Sequence, residues 1–573
     1  MAPIGGGGPF DHAALARRQA LAGASGPMAL VKNIKVFGIA CFACLGGLLY
    51  GYNQGVFSGV LTMNAFGNHM GDYVTNDTKK GWLTSILELG AWLGTLYSGF
   101  LAQILSRKWA ILVNVTIFII GVVIQATAIT AGYQSILAGR FITGMGVGSL
   151  SMIVPMYNAE IAPPEVRGAL VGLQQLSITL GIMISFWIDY GTHFIGGTGL
   201  GQKDAAWLLP LCLQLVPAVL LGGGILFMPF SPRWLVYKDR EPEARRILAN
   251  LRGLHQDHEL IEIEFAEIRA QAYFERRTLE EKFPHLKEQT PLNVFKLQFV
   301  AIASLFKTMP MFRRVIVATV TMFFQQWTGI NAVLYYAPQI FEGLGLSGNT
   351  IQLLATGVVG IVMFIATIPA VMYVDSLGRK PVLIVGAIGM ATCHIIIAII
   401  FAKNEDQWPT HQAAGWGAVA MVWLFVIHFG YSWGPCAWIV ISEIWPLSNR
   451  PYGIALGASS NWMNNFIVGQ VTPDMLTSMR YGTYIFFGLL TFGGALFVWL
   501  IVPETKALTL EEMDVLFGSV GAAQADQELM DRINREVGLN HMGKGGDSPR
   551  GAELAAGNEK EPVTRNERQE LSG

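Results

Sequence analysis

Glu160-Ile161-Ala162-Pro163 followed by Arg167, and Glu443-Ile444-Trp445-Pro446 followed by Arg450, are two copies of one polar pattern about 283 residues apart in a mostly hydrophobic chain. The glutamate-to-arginine spacing is the same in both, and an apolar segment of membrane-spanning length precedes and follows each. A second pair of markers, Arg107-Lys108 and Arg379-Lys380, is offset by about 272 residues. Matching markers in the same order point to a duplicated helix bundle, an arrangement common in polytopic membrane proteins.

Composition agrees. Hydrophobic residues make up 52% of the 573 and charged residues 14%, well under the quarter or so usual in soluble domains. Twelve apolar runs near 20 residues each, about the length that crosses the hydrocarbon core as a helix, lie between residues 35 and 502. The expected class is therefore an all-α polytopic membrane protein with twelve transmembrane helices in two six-helix halves. The divisions read as a cytoplasmic N-terminal tail (1–34), a first bundle (35–228), a cytoplasmic linker with short amphipathic helices (229–313), a second bundle (314–502) and a C-terminal tail (503–573), disordered after about 519. The tail's polar, aromatic-poor composition carries that last expectation.

A net charge of −1, with no basic stripe outside the loops, argues against nucleic-acid binding. Cys41, Cys44, Cys212, Cys393 and Cys436 fall within apolar runs, where thiols serve as small fillers, so neither a disulfide framework nor a metal site is expected. No nucleophile–base pair, metal set or phosphate loop suggests an enzyme or a cofactor, and a single copy of the chain, in contact with the lipid bilayer, is expected to suffice.

The linker, about 85 residues with about fifteen Lys or Arg, belongs on the cytoplasmic side, and an even number of spans places both termini there. The opposite loops include Asn76-Asp77-Thr78, an N-glycosylation acceptor expected to be used at Asn76. Asn114-Val115-Thr116 lies within a span and is expected to be silent.

Polar residues inside spans are costly unless they face water, a ligand or one another. Span seven is the richest, with Gln325, Gln326, Asn331, Tyr335 and Tyr336, and a break near Gly329 would turn several of them inward. Span eleven adds Asn461, Trp462, Asn464 and Asn465; span five adds Gln174 and Gln175; span ten adds Trp433 and Trp438. Amides that both donate and accept, with indole faces, suit a neutral polyhydroxylated ligand. The competing role for each amide is interhelical bonding, worth about 1 kcal/mol or less.

Gln325-Gln326-Trp327-Thr328-Gly329-Ile330-Asn331-Ala332-Val333-Leu334-Tyr335-Tyr336 closely resembles the span-seven motif of the sugar porter family of the major facilitator superfamily. Gly139-Arg140, Val154-Pro155-Met156-Tyr157, Ser231-Pro232-Arg233-Trp234-Leu235, Asp375 to Lys380 and Pro503-Glu504-Thr505-Lys506 extend the likeness over about residues 35 to 517, with loops most like those of fungal monosaccharide carriers. The resemblance implies sugar transport by alternating access and no enzymatic activity. It implies sugar contacts at Gln175, Gln325, Gln326, Asn331, Trp438, Asn461 and Asn465, with Trp462 lining the same cavity, and an outer gate at Tyr335 and Tyr336. Where the family has an Asn on span eight, Met363 stands, which leaves the preferred sugar open: hexose, pentose, sugar acid or disaccharide. A plasma-membrane carrier is expected.

The same resemblance makes Arg107, Glu160, Arg167, Arg233, Asp375, Arg379, Glu443 and Arg450 an inner salt-bridge latch, with ion pairs between the halves. The second half keeps D-x-x-G-R-K at Asp375 to Lys380, whereas Gln103 to Lys108 lacks its aspartate and glycine. Proton-coupled members carry an aspartate at the place of Asn53, opposite the arginine that matches Arg140. An amide does not titrate near neutrality, so facilitated diffusion is expected, with Asn53 and Arg140 as a structural hydrogen-bond pair. Glu88, a third of the way into span two, keeps a proton-symport alternative open, and Asp189 is a weaker one. A sugar sensor, which would lack flux, and a drug exporter, which would need an apolar cavity, are the other classes weighed.

Overall fold

The computed structural model describes residues 12–22, 32–199, 201–286, 290–405, 407–506, 508, 510–518 and 520–539; these are helical or irregular, with no strand among them. Nine helices in the described residues are long and apolar enough to cross a membrane: Ile34–Val60, Arg107–Ala126, Tyr133–Ile161, Arg167–Thr192, Ala205–Ile225, Asn349–Tyr373, Arg379–Asn404, Gln412–Glu443 and Gly482–Leu500. They are spans one, three to six, eight to ten and twelve. Spans two (Asp77–Leu105), seven (Met309–Trp327 with Ile330–Gly343) and eleven (Arg450–Ser478) complete the pattern. These three are the helices diluted by Glu88, by Gln325, Gln326 and Asn331, and by Asn461, Asn464 and Asn465. Span seven is besides divided, its second helix only 14 residues long.

Span two packs along spans four and eleven, and span five along spans one and eight, so the halves meet on two seams. Close packing comes from small residues, as in other membrane bundles: a Cβ on Gly51 of span one would sit 1.8 Å from the Ile178 carbonyl oxygen of span five. Val219, Val385 and Leu489 are more than half exposed on the outward faces, the surface that lipid covers. Helix starts follow local chemistry. Asn76 Oδ1 accepts from Lys79 N at 3.0 Å at the head of span two, and Ser106 Oγ accepts from Trp109 N at 3.3 Å at the head of span three.

The linker folds as Pro232–Tyr237, Glu241–Arg252, Glu259–Lys282 and Pro291–Ser304. Helix Glu259–Lys282 holds both tails. Arg17 of the helix His12–Ala22 pairs with Glu259 at 2.7 Å, and Arg277 pairs with Glu536 at 2.6 Å. Burial raises the Glu264 and Glu267 carboxyls above the ordinary range, while the neighbouring Arg252 and Arg18 pull them back down.

Disorder after about 519 does not hold for the described part of the tail, because Val520–Glu536 is a helix. Leu529, Met530, Ile533 and Val537 recur at helical spacing and pack on Ala270 and Phe274 of the linker helix. Average composition hid that stripe.

Candidate functional site

Span seven breaks as its sequence requires. Gly329 has φ +89°, a conformation that costs glycine little, and it separates the two helices. A second kink follows at Tyr336, φ −127° and ψ 21°, two residues before Pro338. The break leaves the Thr328 carbonyl without a helical partner, and His394 Nε2 of span nine donates to it at 2.8 Å.

The break gathers the amides. Gln325 Nε2 donates to the Trp433 and Gly434 carbonyls of span ten at 2.9 and 3.3 Å, and its Oε1 accepts from Asn461 Nδ2 of span eleven. Gln326 Oε1 accepts from Asn331 Nδ2 across the break. Asn461 Oδ1 and the Trp462 indole N–H are buried without a partner, so each keeps an unspent hydrogen-bonding group. Trp462 is fully buried, its ring 5.1 Å from that of Tyr50 in the first half. Trp438 is half-buried. On span five Gln174, not Gln175, is buried against Gly47 of span one with both amide atoms unpartnered; Gln175 is half-buried. Met363 is buried on span eight and offers no hydrogen bond to a hydroxyl.

Tyr335 and Tyr336 lie toward the side opposite the tails and bond across to other spans. Tyr335 Oη lies 2.6 Å from Gln54 Oε1, 2.8 Å from Glu88 Oε1 and 2.9 Å from Asn465 Oδ1, joining span seven to spans one and two. Tyr336 Oη donates to the Gly469 carbonyl at 2.6 Å. Beyond them, Thr78 Oγ1 reaches Asp474 at 3.1 Å, Thr477 Oγ1 reaches Asp77 at 2.5 Å, and Asn349 Nδ2 donates to the Thr62 carbonyl at 3.2 Å. The halves are therefore tied together on this side. Asn76 is exposed there.

The Asn53–Arg140 pair does not form. Asn53 Nδ2 donates to Leu49 O of its own helix at 3.0 Å, while Arg140 Nη2 donates to Thr84 O of span two at 2.9 Å and its guanidinium lies 4.0 Å over the Phe57 ring. A neutral amide exerts no charge on the guanidinium, which settles on a carbonyl and a ring face instead.

The repeated glutamates also depart from expectation, because their ion pairs lie within each half. Arg107 Nη2 meets Glu160 Oε1 at 2.7 Å, and Arg379 Nη2 meets Glu443 Oε1 at 2.8 Å. The second oxygen of each glutamate takes a hydroxyl at 2.5 Å, Ser231 Oγ on Glu160 and Thr505 Oγ1 on Glu443. The triads are thus symmetric, and the offset of Ser231 and Thr505, about 274 residues, was the signal that could have revealed the third member. Arg233 pairs with Glu275 of the linker. Arg167 donates to the Ala162 carbonyl at 3.4 Å, and among the described residues neither Arg167 nor Arg450 makes an ion pair. The side chain of Asp375 lies outside the described residues. Each pair therefore ties together helix ends of one half. A double-mutant cycle on Arg107→Ala and Glu160→Ala is expected to show coupling of about 1–3 kcal/mol in thermal unfolding of the purified protein; additive losses would deny the pair a structural role.

Two helical halves, a broken span seven and a polar centre buried between them define a membrane carrier of the major facilitator fold. The chain belongs to the Sugar (and other) transporter family, whose model matches residues 39–517. It is 32% identical over 515 residues to a probable quinate permease of Aspergillus fumigatus, covering 88% of this chain and 92% of that protein. It is 31% identical to the major facilitator-type transporter ecdD of Aspergillus rugulosus, over 85% and 88%. Its fold matches the proton:xylose symporter XylE bound to 6-bromo-6-deoxy-D-glucose with a TM-score of 0.67 and 29% identity, over 84% of this chain and 99% of that one. The partially occluded inward open form of XylE from E. coli also gives 0.67, at 26% identity.

Proposed function

We propose that the chain moves a monosaccharide, a hexose or pentose, across the plasma membrane by alternating access and down its own gradient. The carrying observation is the linked set of Gln325, Gln326, Asn331 and Asn461 at the broken span, with the unspent groups of Asn461 and Trp462 beside them. Hydroxyls match such groups singly, and an indole face packs against sugar C–H. Gln175 and Trp438 complete the contacts, Tyr335 and Tyr336 form the outer gate, and the side bearing the tails is cytoplasmic. Asn76 carries a glycan, and one copy of the chain works alone.

Some relatives are named for quinate, a polyhydroxylated acid. Its hydroxyls would suit the same amides, but its carboxylate calls for a cation, and these site residues supply none. Passive movement follows from Asn53, which cannot exchange a proton. A second reading, proton symport, is favoured by the buried carboxyl of Glu88 beside the gate.

The test is uptake of labelled glucose, xylose and quinate into liposomes holding the purified protein, with and without an inward proton gradient. Equilibration of a neutral sugar without accumulation is expected. Accumulation that collapses with a protonophore would overturn the passive reading, and transport of quinate alone would overturn the substrate.

A further inference from the structure

Four close contacts surround Tyr335: its hydroxyl to Gln54, to Glu88 and to Asn465, and Asn465 Nδ2 to Glu88 Oε2 at 3.2 Å. Each is a hydrogen bond with one hydrogen between its two heavy atoms, and the three oxygen pairs of Tyr335, at 2.6, 2.8 and 2.9 Å, would repel without one. Tyr335 supplies one. The Gln54 amide supplies one when its NH2 end is turned to the hydroxyl, an assignment set by such networks. Asn465 supplies one, because whichever of its ends is NH2, the other is a carbonyl. The fourth hydrogen has one remaining source, the carboxyl of Glu88. With Asn465 turned over, its carbonyl would stand 3.2 Å from Glu88 Oε2, where a carboxylate repels it and a protonated carboxyl donates to it, so four hydrogen bonds still need the Glu88 hydrogen.

We propose that Glu88 carries a proton whenever the outer gate is closed, so that closing the gate takes up one proton and opening it releases one. Glu88 is fully buried on span two. The other titratable or charged groups facing it are Tyr50 from span one, Arg140 from span four and Tyr335 from span seven; spans one and eleven otherwise present the neutral Gln54 and Asn465. Arg140 Nε and Nη1 have no partner in this closed arrangement. Once Tyr335 leaves, the carboxyl ionises beside that guanidinium, which stabilises the open state. The proposal rests on alternating access through this gate and is independent of the sugar carried. A proton exchanged on the outer side alone changes rates without driving accumulation, so the gate is compatible with passive transport.

By linkage, the open-to-closed ratio rises with pH, approaching about tenfold per pH unit where the open-state carboxyl is ionised. The test needs no sugar. Spin labels on Asn64→Cys and Ser347→Cys, both exposed on the gate side, report the separation of the halves in nanodiscs, with the accessible Cys41 and Cys212 changed to alanine. Raising the pH from about 5 to about 9 is expected to convert the short separation to a longer one in the otherwise unaltered chain. Glu88→Gln, whose amide supplies the missing hydrogen permanently, is expected to hold the short separation at every pH. Tyr335→Phe is expected to populate the long one at every pH. A pH-independent distance in the unaltered chain, or the unaltered response persisting in Glu88→Gln, overturns the proposal. Should Glu88→Gln fail to fold, the unaltered response persisting in Tyr335→Phe overturns it equally. Liposome results on substrate or coupling leave this outcome untouched.

Discussion

Gln325→Ala is expected to lower sugar uptake by about tenfold to a hundredfold, mostly through a raised KM. One amide holds two carbonyls of span ten and the Asn461 amide of span eleven. Its removal strands those groups in a buried site, at about 1–3 kcal/mol for an unsatisfied group, which converts to that range of affinity. Gln325→Glu separates position from packing. A carboxylate keeps the shape and can still accept from Asn461, but it cannot donate to the Trp433 and Gly434 carbonyls. If Gln325 serves only as interhelical glue, both variants will unfold at lower temperature while the KM of the surviving protein stays put. If it also positions the ligand, KM rises in protein that remains folded. Labelled-sugar uptake together with thermal unfolding of the same preparation decides between them.

Gly51→Val is expected to abolish the folded carrier. Even a methyl group at Gly51 would meet the Ile178 carbonyl oxygen at 1.8 Å, and a Cβ at Gly181 would meet the Leu48 carbonyl at 2.3 Å. Backbone lies on the far side of both contacts, so no rotamer change relieves them. Overpacking of this kind costs about 1–3 kcal/mol when neighbours can shift, and more when they cannot, against a total stability of about 5–15 kcal/mol. The loss would be read as aggregation on size exclusion and the absence of a cooperative melt. A folded Gly51→Val protein with ordinary uptake would show that spans one and five do not approach this closely.

The break in span seven was legible because Gly329 follows two glutamines and a tryptophan in a run that otherwise reads as helix. Which amides would meet was not, since Gln325 finds Asn461 about 136 residues away and periodicity carries no information on such pairs. The same limit explains Arg140. Its depth in span four was visible from the sequence, whereas its choice of the Thr84 carbonyl and the Phe57 ring over Asn53 depends on how spans one, two and four cross.

By itself the sequence determined the class of protein. Long apolar runs, a doubled polar pattern and the span-seven motif are local or periodic features, and the bilayer leaves a chain of that pattern little besides a bundle of helices. Only the tertiary structure decided how the repeated glutamates are used. Each pairs with an arginine of its own half and takes a hydroxyl from the segment that follows that half, Arg107 and Ser231 for one, Arg379 and Thr505 for the other. It also decided that the tail after residue 519 contributes a helix that packs on the linker, and that Glu88 meets Tyr335. The physical reason is common to all three. A hydrogen bond or ion pair is won by whichever partner the packing brings within about 3 Å, and that distance is set by the crossing of helices far apart in the chain.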